Sequence, residues 1–196
     1  MRRLAAELGV TVRALYNVVA DRQEVVDLAA GCLIELLPEH DFDAADWADS
    51  VRRMYREARA AYRRAPRATL ISLDETVTPG MVPVERILAA EQVLAFLVAT
   101  GLSLEDALRV RAQFLVDVFG FVLLIDYRYD RSDEYTRRLM SQPVPEPWLE
   151  AHPDVAAPFS RAAVHAAAGT PDELFESMIE RALLMITALH ARFPRD

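Results

Sequence analysis

Residues 2–28 constrain the fold most, because two short helical patterns meet there at a glycine. Each pattern carries its apolar residues on one face, at the spacing of an α-helix. These residues are Leu4, Ala5 and Leu8 in the first helix, and Ala14, Leu15 and Val18 in the second. Gly9 can adopt the positive φ that ends a helix, and Thr11 can cap the next one. The spacing therefore predicts a helix-turn-helix, whose second helix enters the major groove of DNA.

The charge distribution favours DNA contact at one end of the chain. The 196 residues carry a net charge of −8, which argues against binding nucleic acid over the whole surface. Residues 1–23, however, hold four arginines against two acidic residues. An acidic protein with a small basic tip suits a regulator that touches DNA only there. The alternative is that this helix-turn-helix unit never meets DNA, and that Arg2, Arg3 and Arg13 form a solvated helix face.

Residues 4–30, LAAELGVTVRALYNVVADRQEVVDLAA, resemble the end of the DNA-binding domain of tetracycline-repressor-type (TetR-family) regulators. The matching features are the Gly9-Val10-Thr11 turn, the Leu15-Tyr16 pair and the basic Arg22. Two positions depart from the family pattern, since Val18 replaces a usual aromatic or histidine and Arg22 replaces a usual lysine. The resemblance implies a ligand-responsive repressor that binds operator DNA as a homodimer and is released by a small-molecule effector.

The family places a full helix ahead of this motif, whereas this chain begins at Met1 within the second helix. Arg2, near the start of that helix, matches a family arginine and suits the O6/N7 edge of guanine. The sequence therefore predicts an incomplete DNA-binding unit. The residues without a cover would be Leu4, Leu8, Leu15 and Val18. Either translation starts upstream and supplies the helix, or the unit is defective, which leaves a dimeric small-molecule-binding protein as the alternative function.

The predicted DNA-contacting residues all lie in this N-terminal stretch. They are Arg2, Arg3, Thr11, Val12, Arg13, Tyr16, Asn17 and Arg22. By the resemblance, Thr11, Tyr16 and Arg22 contact the phosphate backbone, and helix N-termini already favour such anions. Arg13 and Asn17 project outward from the second helix and can contact base edges.

The whole chain predicts an all-α fold, because it contains no β pattern and no repeat. The expected helices are 21–37, 47–64, a short segment in 67–77, 83–100, 104–130, 154–168 and 171–193, with a proline-rich loop at 141–154. Residues 1–41 form the predicted DNA-binding domain with its connecting helix (the head). Residues 42–196 form the predicted effector-binding and dimerisation domain (the body).

Two long helices predict the mode of assembly. Helices 104–128 and 171–193 are apolar around more than half of their circumference, whereas a surface helix needs one apolar stripe. Such helices need partners on two sides, which predicts an intersubunit four-helix bundle in a homodimer. The alternative is that both are central helices of a monomer.

The resemblance continues through residues 90–126, AEQVLAFLVATGLSLEDALRVRAQFLVDVFGFVLLID, which match the tetracycline repressors themselves. Those repressors hold their drug through a divalent metal and polar side chains. The matching pocket positions are His40, Met54, Val77, Val93, Phe114 and Leu124. His40 keeps a ligand-contacting residue, but Val77 stands where the metal-binding histidine is expected. We therefore expect no metal, no cofactor and a more apolar effector, the alternative being a pocket filled by its own side chains.

No catalytic motif occurs, so the sequence predicts no catalytic residues and a protein that is not an enzyme. Asp117, an acid within an apolar stretch, is expected to pair with Arg181 or His190. The single cysteine, Cys32, excludes an internal disulfide and is expected to be buried and inert. Because no apolar run of about 18 residues occurs either, we expect a cytoplasmic protein that does not enter membranes.

Overall fold

The computed structural model describes residues 1–34, 36, 40–76, 84–166 and 169–192, and these residues form helices and no β-strand. The predicted all-α class is therefore confirmed. The helices are α1 (Arg2–Glu7), α2 (Val12–Tyr16), α3 (Arg22–Ile34), α4 (Trp47–Arg64), α5 (Pro66–Ser72), α6 (Val84–Ala99), α7 (Leu104–Phe121), α8 (Tyr127–Asp130), α9 (Glu134–Met140), α10 (Glu146–Ala151), α11 (Pro158–Ala163) and α12 (Pro171–His190). The predicted environment of the Cys32 side chain lies outside what the structure describes.

The first two helices form the predicted turn. Gly9 has a φ of 67° at the corner. Thr11 caps α2, because its Oγ1 accepts a hydrogen bond from the backbone N–H of Ala14 at 3.1 Å. A small core holds these helices against the start of α3. Its buried members are Ala5, Leu15 and Val19, with Met1, Leu4, Val12 and Val25 packed around them.

Three apolar residues that were expected to face the core of this unit are exposed instead. Val18 was expected to point inward, but its side chain is 79% exposed. The reason is that α2 ends at Tyr16, so the residues beyond it follow a turn and Val19 takes the buried position. Leu8 is exposed as well, and so is Ala14. Of the four residues expected to lack a cover, Leu8 and Val18 are exposed, whereas Leu15 is buried and Leu4 packs against the small core.

The body is built around one large apolar core. Four helices, α4, α6, α7 and α12, contribute nearly all of its buried side chains. Those from α4 and α6 are Val51, Met54, Tyr55, Ala58, Tyr62, Val93, Phe96 and Leu97, and those from α7 and α12 include Val110, Phe114, Val118, Phe121, Phe175, Ile179, Leu183 and Ile186. The helix ends are set by local signals. Ser103 caps α7, and Thr170 forms a capping box with Glu173 at the start of α12.

Two parts of the body differ from the sequence prediction. The long helix expected at 104–130 is continuous, but residues Val122–Asp126 form a π-helical turn between α7 and α8. The segment 141–154, expected to be a loop, contains α10, which begins directly after Pro145. Proline is well tolerated in the first turn of a helix, so its density marks a helix start here rather than an irregular segment.

Four arginines of α4 form ion pairs with acidic residues of neighbouring helices. Arg59 is the buried member, and its Nε and Nη2 donate to Asp126 at 2.8 and 2.7 Å. Its guanidinium also lies over the Phe175 ring, 4.5 Å from the centroid. Burial alone would lower the pKa of Arg59, but the hydrogen bonds and charge of Asp126 outweigh burial and raise it. The other pairs are Arg52 with Glu180, Arg56 with Glu176 and Arg63 with Asp130.

Asp117 is a structural residue of the core, as expected. Its carboxylate accepts hydrogen bonds from Tyr55 at 3.2 Å, Gln113 at 2.8 Å and Arg181 at 3.1 Å. The second predicted partner, His190, lies 3.1 Å from Thr100 instead. Burial raises the pKa of Tyr55, and the charge of Asp117 adds to the increase, so the phenol stays protonated and donates.

Polar contacts attach the start of α3 to the body. Gln23, in the first turn of α3, donates from Nε2 to the backbone oxygen of Asp74 at 2.8 Å. Asp27, one turn later, accepts from the backbone N–H of Thr76 at 2.9 Å. The two contacted residues flank Glu75, just beyond α5. The start of α3 is therefore attached to the residues on either side of Glu75.

Candidate ligand cavity and DNA-contacting surface

A cavity of about 210 Å³ opens in the body beside the core. The described residues that line it come from α4, α6, α7 and the segment before α4. The apolar ones are Ala58, Ala89, Ala90, Val93, Phe114, Leu115 and Phe119, and the polar ones are His40, Tyr62, Arg86, Gln92 and Arg111. The Tyr62 and Phe119 rings pack together, with centroids 4.6 Å apart. The wall is thus mainly apolar and aromatic, with a few polar groups that can orient a ligand.

The polar groups of the cavity differ in how they are paired. The Nδ1 of His40 lies 2.9 Å from Glu57, and Arg86 pairs with Glu75. Burial raises the pKa of Tyr62 to about 12, although the nearby Arg111 and Arg86 lower it, so its hydroxyl is protonated at neutral pH. Arg111 is half-buried and makes no ion pair with any residue that the structure describes.

The structure brings together three of the predicted pocket residues. His40, Val93 and Phe114 all line the cavity. Met54 does not, because it is 1% exposed and packed into the core. Leu124 does not either, because the π-helical turn places its side chain on the outside, where it is 72% exposed. Val77 lies outside the described residues.

Sequence reasoning missed the two arginines of the cavity. A signal for them was present, since Arg111 precedes the inward-facing Phe114 by three residues and Leu115 by four. Arg86 has the same spacing to Ala89 and Ala90. Residues at i, i+3 and i+4 share a helix face, so each arginine stands in line with the cavity wall. An arginine on an otherwise apolar stripe is thus a useful marker of a polar anchor.

The second candidate surface lies on the head. Arg13, Tyr16 and Asn17 are exposed and fall at i, i+3 and i+4, so they share the outer side of α2 and its C-terminal end. Arg22 is exposed at the first position of α3. This arrangement offers hydrogen-bond donors of two kinds, on a helix face and at a helix N-terminus, as DNA recognition requires.

The remaining predicted DNA contacts divide into exposed and inward-facing residues. Arg2 and Arg3 are exposed on α1, and Thr11 is exposed at the cap of α2. Val12 instead packs against the small core of the head. Its side chain therefore supports the helix from behind and is not available to DNA.

The described residues offer neither a metal site nor a membrane-spanning helix. No group of three or more His, Cys, Asp and Glu side chains is arranged to hold a metal ion. No described helix is both long enough and apolar enough to cross a membrane.

A sequence profile described as "Tetracyclin repressor-like, C-terminal domain" matches residues 38–188, which is most of the chain. The chain belongs to the tetracyclin repressor-like family. The match covers the whole of the large core and the cavity, so the body has the fold that this family shares. Comparison with curated protein sequences finds no match.

Solved structures of the TetR family share the fold of the full chain. The TetR family protein ActR of Streptomyces coelicolor, in complex with actinorhodin, has a TM-score of 0.68 and 22% identity, covering 96% of this chain and 86% of that chain. A possible TetR family transcriptional regulator from Streptomyces coelicolor A3(2) has a TM-score of 0.58 and 19% identity, with 98% and 89% covered. TetR from Acinetobacter baumannii AYE has a TM-score of 0.55 and 18% identity, with 94% and 86% covered.

Proposed function

We propose that this protein is a ligand-responsive transcriptional repressor that binds operator DNA as a homodimer and is released by a small-molecule effector. The observation that carries the proposal is the presence, in one chain, of exposed Arg13, Tyr16 and Asn17 on a capped second helix and of a cavity in the body. The first provides contacts for DNA and the second provides a place for an effector. The proposal includes no catalysis, since Asp117 and Asp126 are both engaged in core ion pairs.

The proposed homodimer is supported by exposed apolar side chains on the two long helices. On α7 and the π-helical turn these include Val116, 67% exposed, and Leu124. On α12 Leu184 is 71% exposed. Isolated exposed leucines are ordinary, but several on two adjacent helices form a surface that a second copy can cover. The resulting bundle would contain α7 and α12 of each subunit, within the predicted segments 104–128 and 171–193.

The proposed effector site is the cavity beside His40. Its apolar wall suits the expected apolar effector, and its volume argues against the alternative that side chains fill the pocket completely. ActR, which has the same fold, is described in complex with actinorhodin. We therefore expect the effector of this chain to be a small organic molecule as well.

The proposal is tested by a mobility-shift assay of the full chain on the intergenic DNA beside its gene, with random DNA of equal length as competitor. We expect a complex that survives an excess of random DNA, because base contacts add specificity to phosphate binding. A complex that random DNA removes as efficiently as unlabelled intergenic DNA would contradict the repressor assignment.

Arg13 and Arg22 are expected to have different roles on DNA. Arg13→Ala should weaken binding to the operator by roughly 5- to 100-fold while leaving random DNA almost unchanged, as for a contact to a base edge. Arg22→Ala should weaken binding to both and reduce the slope of log affinity against log salt by about one unit. Fluorescence anisotropy over a salt series measures both effects. Arg109→Ala is the matched control, because Arg109 lies on α7 in the body, paired with Glu105 and Asp106. Equal losses on both DNAs for the two head variants would show that these roles are wrongly assigned.

A second candidate function is a dimeric small-molecule-binding protein with a defective DNA-binding head. The observation that favours it is the small size of the head core, together with the exposure of Leu8 and Val18. The mobility-shift assay separates the two candidates, because only the repressor retards DNA.

A further inference from the structure

We infer that the cavity takes an aromatic carboxylate, whose ring lies against the apolar wall and whose carboxylate binds Arg111. The inference rests on the proposed function, in which this cavity is the effector site. The inference adds one negatively charged group to the expected apolar effector and assigns Arg111 as the residue that binds this group.

The first argument is the balance of charge around the cavity. Among the described residues that line it, Arg86 and Arg111 are cationic and none is acidic. Arg86 is already paired with Glu75, and His40 with Glu57. Arg111 has no carboxylate within ion-pair distance in the described part of the chain. One guanidinium charge at the cavity is therefore uncompensated.

The second argument is the cost of leaving such a charge half-buried. A guanidinium that loses part of its hydration is stabilised only if an anion or several acceptors replace the lost water. Other partly buried arginines of the body have acceptors within the protein: Arg63 pairs with Asp130, whereas Arg137 and Arg161 donate to backbone oxygens. Arg111 departs from that pattern, since no hydrogen bond or ion pair to a described residue satisfies it, and it lines the proposed effector cavity. A carboxylate suits the planar fork of its N–H donors.

The third argument concerns the body of the ligand. Phe114, Phe119 and Tyr62 present aromatic rings to the cavity, and the remaining wall is mostly alanine, valine and leucine. Aromatic side chains pack favourably against aromatic ligands in tilted or offset arrangements. The protonated Tyr62 hydroxyl offers a second donor to a carboxylate near Arg111. The volume of about 210 Å³ exceeds the ~150 Å³ of a cavity that binds benzene, which indicates a ligand of one substituted ring or two fused rings.

The test measures binding of 1-naphthoate and of its neutral analogue 1-naphthamide to the full chain by isothermal titration calorimetry. The wild-type protein should bind the carboxylate roughly 10- to 100-fold more tightly than the amide, as expected for a charge-assisted hydrogen bond. Arg111→Gln should remove this preference without weakening amide binding. Arg111→Lys should retain a large part of the preference, because the charge is kept.

Arg109→Gln provides the matched control, because Arg109 lies two residues away on α7 but does not line the cavity, and it should leave the preference unchanged. Equal binding of the two probes to the wild-type protein would overturn the inference, and so would a preference that Arg111→Gln leaves intact or the absence of binding by both. A parallel mobility-shift assay tests the proposed repressor function independently of the ligand inference. Charge-selective binding by a protein that does not retard DNA would support the ligand class and reject the repressor.

Discussion

Replacing Asp126 with alanine should lower the melting temperature by roughly 6–20 °C. Asp126 is 0% exposed and holds Arg59 through two hydrogen bonds. Its removal leaves the guanidinium of Arg59 paired, among the described residues, only with the exposed Asp172 at 2.9 Å. Breaking a buried ion pair in this way typically costs ~3–5 kcal/mol. In a chain of this size each kcal/mol corresponds to ~2–4 °C. Differential scanning calorimetry, with circular dichroism to verify helix content, measures the change.

Glu176→Ala is the control for this experiment, because Glu176 pairs with Arg56 on the same face of α4 but at the surface. Exposed ion pairs contribute about 0–1 kcal/mol, so this variant should shift the melting temperature by a few degrees at most. The double variant Arg59→Met with Asp126→Leu should recover much of the lost stability, since apolar residues can replace a buried pair. If Asp126→Ala and Glu176→Ala lower the melting temperature equally, burial does not determine how much each ion pair contributes to stability.

Placing a charge on the exposed side of α7 should dissociate the proposed dimer. Val116→Asp and Leu184→Asp each introduce a carboxylate at the surface that the second subunit is proposed to cover. Twofold symmetry doubles the effect, because each substitution occurs twice in one interface. An unpaired buried charge costs several kcal/mol, so we expect the dimer dissociation constant to rise at least ~100-fold. Light scattering after size-exclusion chromatography measures the mass at micromolar concentration.

Val84→Asp is the matched control, because Val84 is a similarly exposed valine on α6, a helix that is not part of the proposed bundle. It should leave the mass unchanged. The dissociated variants should also lose operator affinity, since a dimer contacts two half-sites and a monomer only one. A wild-type protein that is monomeric at every concentration would contradict the proposed bundle and support α7 and α12 as central helices of a monomer.

The helices were predictable from sequence because their signals are local. Thr11, Ser103 and Thr170 cap helices at the expected positions, and α4 begins and ends where its pattern predicts. The pairing of the α4 arginines was not predictable. Arg59 contacts Asp126, which lies 67 positions further along the chain. Sequence periodicity identifies a face of a helix and carries no information about which distant helix covers it.

Part of the candidate site was predictable, because the family resemblance indicates which positions line a ligand pocket. His40, Val93 and Phe114 were identified through the family resemblance, and the structure brings them to one cavity. Leu124 was assigned to the same cavity on its position in the motif, but the π-helical turn rotates its side chain outward. A π turn adds one residue to the backbone ring without a sequence signature of its own. A sequence alignment therefore predicts the direction of a side chain only where the helix remains a regular α-helix.

The attachment of α3 through Gln23 and Asp27 links the proposed DNA-contacting helices to the body. In the proposed dimer the two α2 helices must be about 34 Å apart, one turn of DNA, to occupy successive major grooves. Each hydrogen bond that fixes the start of α3 contributes only ~1 kcal/mol net. Both bonds end on residues that flank Glu75, the partner of the cavity residue Arg86. In the proposed repressor, residues 74–76 therefore join the cavity to the start of α3, alongside the packing of α3 against α5.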